Sequence, residues 1–327
     1  MMGSNGGPEA GEGQGAARPV AADVAWLEQP IVNVYFVGAP GGGDRSWTLI
    51  DAGLPGTAGQ IARAAEERFG AGVRPAAIVL THGHFDHRGA LQELAERWDT
   101  PVYAHPLEMP YLTGRAEYPP PDPTVGGGAM ARLSPLYPRR PIDLGGRAWA
   151  LPPDGTVPGL PGWRAIHTPG HSPGHVSLFR ESDRTLIAGD AFVTTKQESA
   201  IAALSKPEEI HGPPMYFTPD WVSSRRSVEA LAALNPDLAL TGHGRPLRGD
   251  ALRQGLRTLA RDFEHLAVPQ GGRYAAQPAI VDTQGVATLP PPVPDPFPGA
   301  VLAGVGGVVL AGAAIVALRR RGGADRD

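Results

Sequence analysis

The stretch that decides the reading is Thr81-His82-Gly83-His84-Phe85-Asp86-His87, a His-x-His-x-Asp-His pattern. Three imidazoles and one carboxylate fall within six consecutive positions, directly after the apolar run Ala76-Ala77-Ile78-Val79-Leu80. A short apolar run bounded by turn residues reads as a buried strand. The four polar groups therefore sit where that strand ends. Neutral imidazole and carboxylate are the donors that a borderline-soft divalent metal such as zinc accepts. Packing alone gives no reason to crowd four of them at one strand end.

Composition narrows the chemistry further. The 327 residues are 42% apolar and 19% charged, which describes a globular chain with a sizeable core. The net charge of −4, without a long basic run in the middle of the chain, excludes a nucleic-acid footprint. The absence of cysteine removes disulfides and thiolate ligands, so any metal site must be built from His, Asp or Glu.

Working outward from the cluster, residues 1–22 are rich in Gly, Ala and acidic residues and read as a disordered tail, with no secretory signal pattern. The body is expected over 23–268. It begins with a strand at 31–37, a Gly-rich turn and a second strand at 46–50, which together predict an antiparallel hairpin. Ile61, Ala65 and Phe69 recur at helical spacing between Thr57 and Gly70, predicting a helix at 57–69. After the cluster, a helix at about 88–98 and a short strand at 102–104 close the first half. Residues 113–140 form a Pro/Gly-rich stretch in which Tyr118, Met130 and Tyr137 could lie over a pocket, as a lid or as a solvated insertion.

The second half repeats the scheme, with strands at 163–167, 175–179, 185–188 and 238–240. Thr218-Pro219-Asp220 reads as the opening of a helix with Thr218 as its cap, and a further helix is expected at about 250–266. Both halves place His or Asp just beyond strand ends. That predicts an α/β, two-sheet sandwich with helices outside and the site along one rim. Residues 269–298 read as a Pro-rich linker. Gly299–Leu318 carries no charge over twenty residues, about the length that crosses a bilayer core, and the basic tail 319–327 follows.

Further candidate ligands lie at later strand ends. His171 sits in Thr168-Pro169-Gly170-His171-Ser172-Pro173-Gly174-His175, Asp190 follows Ala188-Gly189, and His243 lies in Thr241-Gly242-His243-Gly244. Glycine beside each lets the backbone turn sharply.

These four blocks, in this order over about residues 30–265, resemble the metallo-β-lactamase-fold hydrolase superfamily, in its glyoxalase II-like or general hydrolase group. The resemblance implies the αβ/βα four-layer sandwich of that fold, to which the C-terminal transmembrane helix would be added. It implies that His82, His84 and His171 hold a first metal, that Asp86, His87 and His243 hold a second, and that Asp190 bridges them. Asp86 is in addition the candidate catalytic residue. Asp51 would orient a ligand imidazole from behind, and His175 would be structural, bonding within its own turn. Two divalent ions, expected to be Zn2+, would generate a bridging hydroxide that cleaves an ester, thioester, lactone or related bond. The residual positive charge of such a centre favours an anionic or ester-like small molecule.

Without cysteine the chain does not resemble the β-lactamases that use a Cys ligand. The alternatives are a non-catalytic, membrane-tethered metal-binding or scaffold module, and a mononuclear iron enzyme of the persulfide dioxygenase type. For topology, the arginines after the apolar span favour an external enzyme domain. The missing signal favours a cytoplasmic domain with a tail anchor, and the latter is the expectation adopted.

Overall fold

Two sheets lie face to face in the computed structural model, which describes residues 16–294. The first sheet is hydrogen-bonded in chain order: β1 (Arg18–Ala21), β2 (Val24–Glu28), β3 (Asn33–Val37), β4 (Thr48–Ile50), β5 (Ala77–Val79), β6 (Val102–Ala104) and β7 (Ala148–Ala150). Its strands pair antiparallel from β1 to β4 and parallel from β4 to β7. The second sheet contains β8 (Trp163–His167), β9 (Val176–Arg180), β10 (Thr185–Gly189), β11 (Leu238–Thr241) and β12 (Leu247–Arg248), in the spatial order β12-β11-β10-β9-β8. Only β10 and β11 run parallel there.

The helices are α1 (Ala58–Phe69), α2 (Leu91–Trp98), α3 (Met109–Leu112), α4 (Ala129–Leu133), α5 (Ala200–Ser205), α6 (Trp221–Ala233), α7 (Gly249–Arg261) and α8 (Phe263–Leu266). A final hairpin joins β13 (Ile280–Asp282) to β14 (Gly285–Thr288).

Strand periodicity explains the layers. Successive side chains of a strand point to opposite faces. Along β3, Val34 and Phe36 join the core beneath α1 and α2, whereas Tyr35 and Val37 join the core between the sheets. Along β10, Ile187 faces the inter-sheet core and Leu186 and Ala188 face α6 and α7. These strands are buried on both sides, so they read as continuous apolar runs. Trp47 stacks on Phe69 of α1 at 4.6 Å between ring centroids and meets the edge of Trp98 of α2 at 5.5 Å. Each such aromatic pair adds about 0.5–1.5 kcal/mol beyond its buried area. One tryptophan thereby clamps two helices to the first sheet.

Several expectations change. The tail expected over 1–22 is ordered from β1 onward, and β2 precedes the strand at which the body was expected to begin. β1 is a short, half-exposed edge strand, which leaves no periodic apolar signature. Residues 269–290 do not form a bare linker. Tyr274 and Ala279 are buried in the core of the second half, and β13 and β14 pair. Asp220, rather than Thr218, caps α6, its carboxylate accepting from the Ser223 N–H at 3.0 Å. Thr218 lies three residues before the first helical residue, Trp221, and its hydroxyl donates to the Pro214 carbonyl at 2.8 Å. The α7–α8 region, expected as one helix, breaks at Asp262. The span 299–318 and the tail 319–327 lie outside the described residues. Among the described residues, no helix is long and apolar enough to cross a membrane.

Candidate metal centre

Four strand exits converge at one rim. Residues 81–87 follow β5, the turn 168–175 joins β8 to β9, Asp190 follows β10 and His243 follows β11. The approach is close enough to require glycine. A Cβ on Gly242 would lie 1.9 Å from Asp190 Oδ1 and 2.6 Å from His87 Cε1. Gly189, at φ 54°, would place one 2.5 Å from His175 Nε2.

All seven candidate ligands are buried. Their donor atoms gather in three overlapping groups: His82, His84 and His171; His82, His87 and Asp190; and Asp86, His87 and His243, each within 4.8 Å. His84 Nδ1 and His171 Nε2 stand 2.9 Å apart. Asp190 Oδ2 lies 3.3 Å from His171 Nε2 and 2.9 Å from His243 Nε2, while its Oδ1 lies 3.6 Å from His87 Nε2. Asp86 Oδ2 is 3.6 Å from His243 Nε2. Donors arranged tetrahedrally about 2.0–2.1 Å from a zinc ion would stand about 3.3 Å apart, so the spacings fit a metal. A second observation agrees with this. His82 Nε2, His87 Nε2 and Asp190 Oδ1 are buried without any hydrogen-bond partner, an arrangement costly unless an ion meets them.

The imidazoles are aimed from behind. His82 Nδ1–H donates to Thr81 Oγ1 at 3.1 Å, and the Thr81 hydroxyl donates onward to Asp51. His87 Nδ1–H donates to Asp51 Oδ2 at 2.8 Å, His171 Nδ1–H to Thr218 Oγ1 at 3.2 Å, and His243 Nδ1–H to the Ile31 carbonyl. Each of these four rings thus presents Nε2 to the centre, the arrangement that fixes tautomer and orientation in metal-binding histidines. Asp51 lies behind His87 and Thr81, accepting also from the Thr81 N–H at 2.8 Å. Its backbone takes φ 61°, a left-handed value that Asp tolerates better than most residues. His175 bonds Thr168 within its turn, and its Nε2 also accepts from the Asp190 N–H at 2.9 Å.

The charges sort by position. Burial, reinforced by neighbouring imidazoles, holds His82 and His84 well below the usual histidine range, and burial drives His171 down to about 3. Burial thus keeps these three neutral. Burial also opposes protonation of His87 and His243, but Asp190 and its fellow carboxylates outweigh it and raise both. Burial disfavours the Asp190 anion, yet His243 and His87 overcome that and hold it well below the usual carboxylate range. Burial raises Asp86. The Asp190 side of the site therefore attracts positive charge, for which protons and metal ions compete.

The remaining histidines are ordinary. His105 caps a short turn through its Nδ1, which accepts from the Leu107 N–H at 3.3 Å, and stacks on His167. The His211 imidazole faces Glu209 at 3.3 Å, away from the cluster. Trp221 is a core residue packed near Phe263. Residues 113–140 pack inward, with Met130 and Tyr137 joining Phe85, Tyr216 and Phe217 beside the centre. His84 and His171 open onto a narrow slot walled by the rings of Tyr118, Phe217 and Tyr274 and by four prolines.

Sequence reasoning missed two contributors. Tyr274 lies in the stretch taken for a linker. Glu108 follows His105-Pro106-Leu107 and looks like an ordinary first-turn acid, but its side chain is fully buried against the ligand loops.

The comparisons agree with this geometry. The family model of the metallo-beta-lactamase superfamily matches residues 28–243. The chain is 50% identical over 246 residues to the probable metallo-hydrolase YflN of Bacillus subtilis (strain 168), covering 75% of this chain and 93% of the relative. It is 33% identical over 170 residues to YybB, a probable metallo-hydrolase of the same strain, covering 52% and 64%. Two solved structures share the fold. A beta-lactamase domain protein from Burkholderia ambifaria has a TM-score of 0.52 at 22% identity, covering 77% of this chain and 74% of that one. A metallo-beta-lactamase family protein from Thermus thermophilus has a TM-score of 0.50 at 22% identity, covering 75% and 81%. With the ordered His/Asp cluster at the rim of a two-sheet sandwich, the chain belongs to the metallo-beta-lactamase superfamily of metallo-hydrolases.

Proposed function

We propose that this metallo-hydrolase works with two divalent ions, zinc by the character of its donors, and cleaves an ester, thioester, lactone or related bond. The observation that carries the reading is the Asp190 carboxylate. One oxygen faces His171 and His243 and the other faces His87, so a single side chain reaches toward both ligand groups. His82, His84 and His171 would hold the first ion, and Asp86, His87 and His243 the second. The purely nitrogen and oxygen donor set, without sulfur, suits zinc.

Bound there, the ions polarise a substrate oxygen and lower the pKa of water towards neutrality. The chain supplies the rest. Buried imidazoles keep their Nε2 lone pairs aimed inward, and the slot beside His84 and His171 is too tight to admit water. Its phenols are already engaged, Tyr118 donating to Glu108 and Tyr274 to the Pro120 carbonyl at 2.6 Å. Among the described residues, no lysine or arginine lines the slot. An uncharged acyl group with an ester-like bond fits that wall better than a highly charged ligand.

The test has two parts. Elemental analysis of purified protein should find about two ions per chain, and fewer than about one would sink the dinuclear reading. A panel of thioester, lactone, phosphodiester and β-lactam substrates should be turned over by wild type, with His84→Ala and Asp86→Ala inactive. Equal activity in those variants refutes the assigned site. Residues 299–318 are proposed as a membrane anchor on their uncharged composition, with the enzyme placed on the cytoplasmic side. Cleavage of the body by protease added to intact cells would overturn that side.

A further inference from the structure

We propose that Glu108 is a positioning residue that sets the separation of the two chain segments carrying the first metal's ligands. The inference rests on the reading of His82, His84 and His171 as those ligands. Glu108 comes from neither segment. It ends a 3-10 turn, Pro106–Glu108, beyond β6, and its side chain is fully buried. Its Oε2 accepts from the N–H of Gly83, the residue between His82 and His84, at 2.9 Å, and from the Tyr118 hydroxyl. Its Oε1 accepts from the hydroxyl of Ser172, the residue after His171, at 2.8 Å, and from the Gly174 N–H at 2.8 Å. Each oxygen holds one segment. The rigid carboxylate between them then sets the distance across which the triad must close.

The contacts leave little room for adjustment. A Cβ on Gly174 would stand 2.7 Å from Glu108 Cγ, and one on Gly83 would stand 2.4 Å from the Tyr118 hydroxyl oxygen. Four donors converge on two oxygens, which uses the acceptor capacity of an ionised carboxylate and none of a donor's. An amide in its place would turn an NH2 towards donors on one segment. Size would be kept while one pair of bonds became repulsive. The second group is held independently, His87 by Asp51 and His243 by the Ile31 carbonyl.

Glu108→Gln should therefore weaken one of the two bound metals about 10–100-fold, the usual effect of removing a group behind a ligand, and spare the other. Metal-free wild type, Glu108→Gln and Ser172→Ala would be titrated with Zn2+ against a chromophoric chelator. Visible spectra of the Co2+-loaded forms and thermal melts of the metal-free forms would be recorded alongside. Support is a selective loss at one site with an altered Co2+ spectrum and an unchanged metal-free melt. If Glu108→Gln does not fold, Ser172→Ala decides by the same readouts, with a smaller loss expected from one missing donor. Two sites of wild-type affinity and spectrum in the folded variants overturn the positioning role. A wild-type chain that takes up no metal overturns the parent reading, and the positioning role with it.

Discussion

Asn33 joins the two sheets at the metal rim, and its replacement by alanine has a cost that can be worked from the structure. The side chain is fully buried. Its Oδ1 accepts from Trp26 Nε1–H at 2.8 Å, and its Nδ2 donates to the carbonyls of Thr241 at 2.8 Å and Gly244 at 2.6 Å. The last two residues bracket Gly242 and His243. Alanine strands the Trp26 N–H and the Gly244 carbonyl, each costing about 1–3 kcal/mol when buried and unpaired. The Thr241 carbonyl is spared because the Tyr35 hydroxyl also donates to it, at 2.7 Å. The expected loss is thus about 2–6 kcal/mol, a large part of the roughly 5–15 kcal/mol that holds a typical domain folded. Tyr35→Phe is the contrasting change. It removes one donor from a carbonyl that keeps Asn33, so it should cost only about 1 kcal/mol. The double variant deprives Thr241 of both side-chain donors and should show a coupling of at least about 0.5 kcal/mol. Denaturant unfolding of the metal-free protein measures all three. If Asn33→Ala costs no more than Tyr35→Phe, the reasoning from stranded partners is wrong.

Other changes test other levels. Gly242→Ala drives a Cβ into Asp190 Oδ1, and elemental analysis should find at least one of the two expected ions lost. Tyr274→Ala opens the slot beside His84 and His171 from outside the region matched by the family model. It should raise kcat/KM for bulky acyl groups relative to small ones, and an unchanged ratio would remove Tyr274 from the substrate wall. His105 is lowered from 6.5 to about 4, by burial and then by the His167 imidazole. Between those two values the unfolded chain binds the extra proton, so wild-type stability should fall as pH drops from about 6.5 to about 4. His105→Asn keeps a capping acceptor without the titration. The stability difference between the two proteins should shift with pH through that window, and a constant difference would contradict the assignment.

Much of the layered fold was legible because its signals are local. Strands buried on both faces are apolar without interruption, as in Ile78-Val79-Leu80. The helix α1 carries Ile61, Ala65 and Phe69 on one face. The edge strand β1 was not legible because its residues are half exposed and its order depends on pairing with β2. Residues 269–290 looked like a linker because prolines dominate the end of that stretch. Their order comes from burial of Tyr274 and Ala279 against a core formed earlier in the chain. Thr218 illustrates competition between roles. By type it suits a helix cap, but α6 starts at Trp221, and the Thr218 hydroxyl instead accepts from His171 and donates to Pro214.

By itself, the sequence determined which donors exist, that thiolate sulfur is not among them, and that they follow strand ends, with glycine beside His82, His84, His171, Asp190 and His243. These are properties of residue type and short-range spacing. Only the tertiary structure decided that Asp190 stands between the histidines, one oxygen facing His171 and His243 and the other His87, that Asn33 braces the rim, and that Glu108 joins Gly83 to Ser172. Such contacts join residues far apart in the chain, and Asn33 and Glu108 look like an ordinary amide and surface acid in one dimension. Their role follows from burial, because a desolvated polar group must find partners wherever the fold places them.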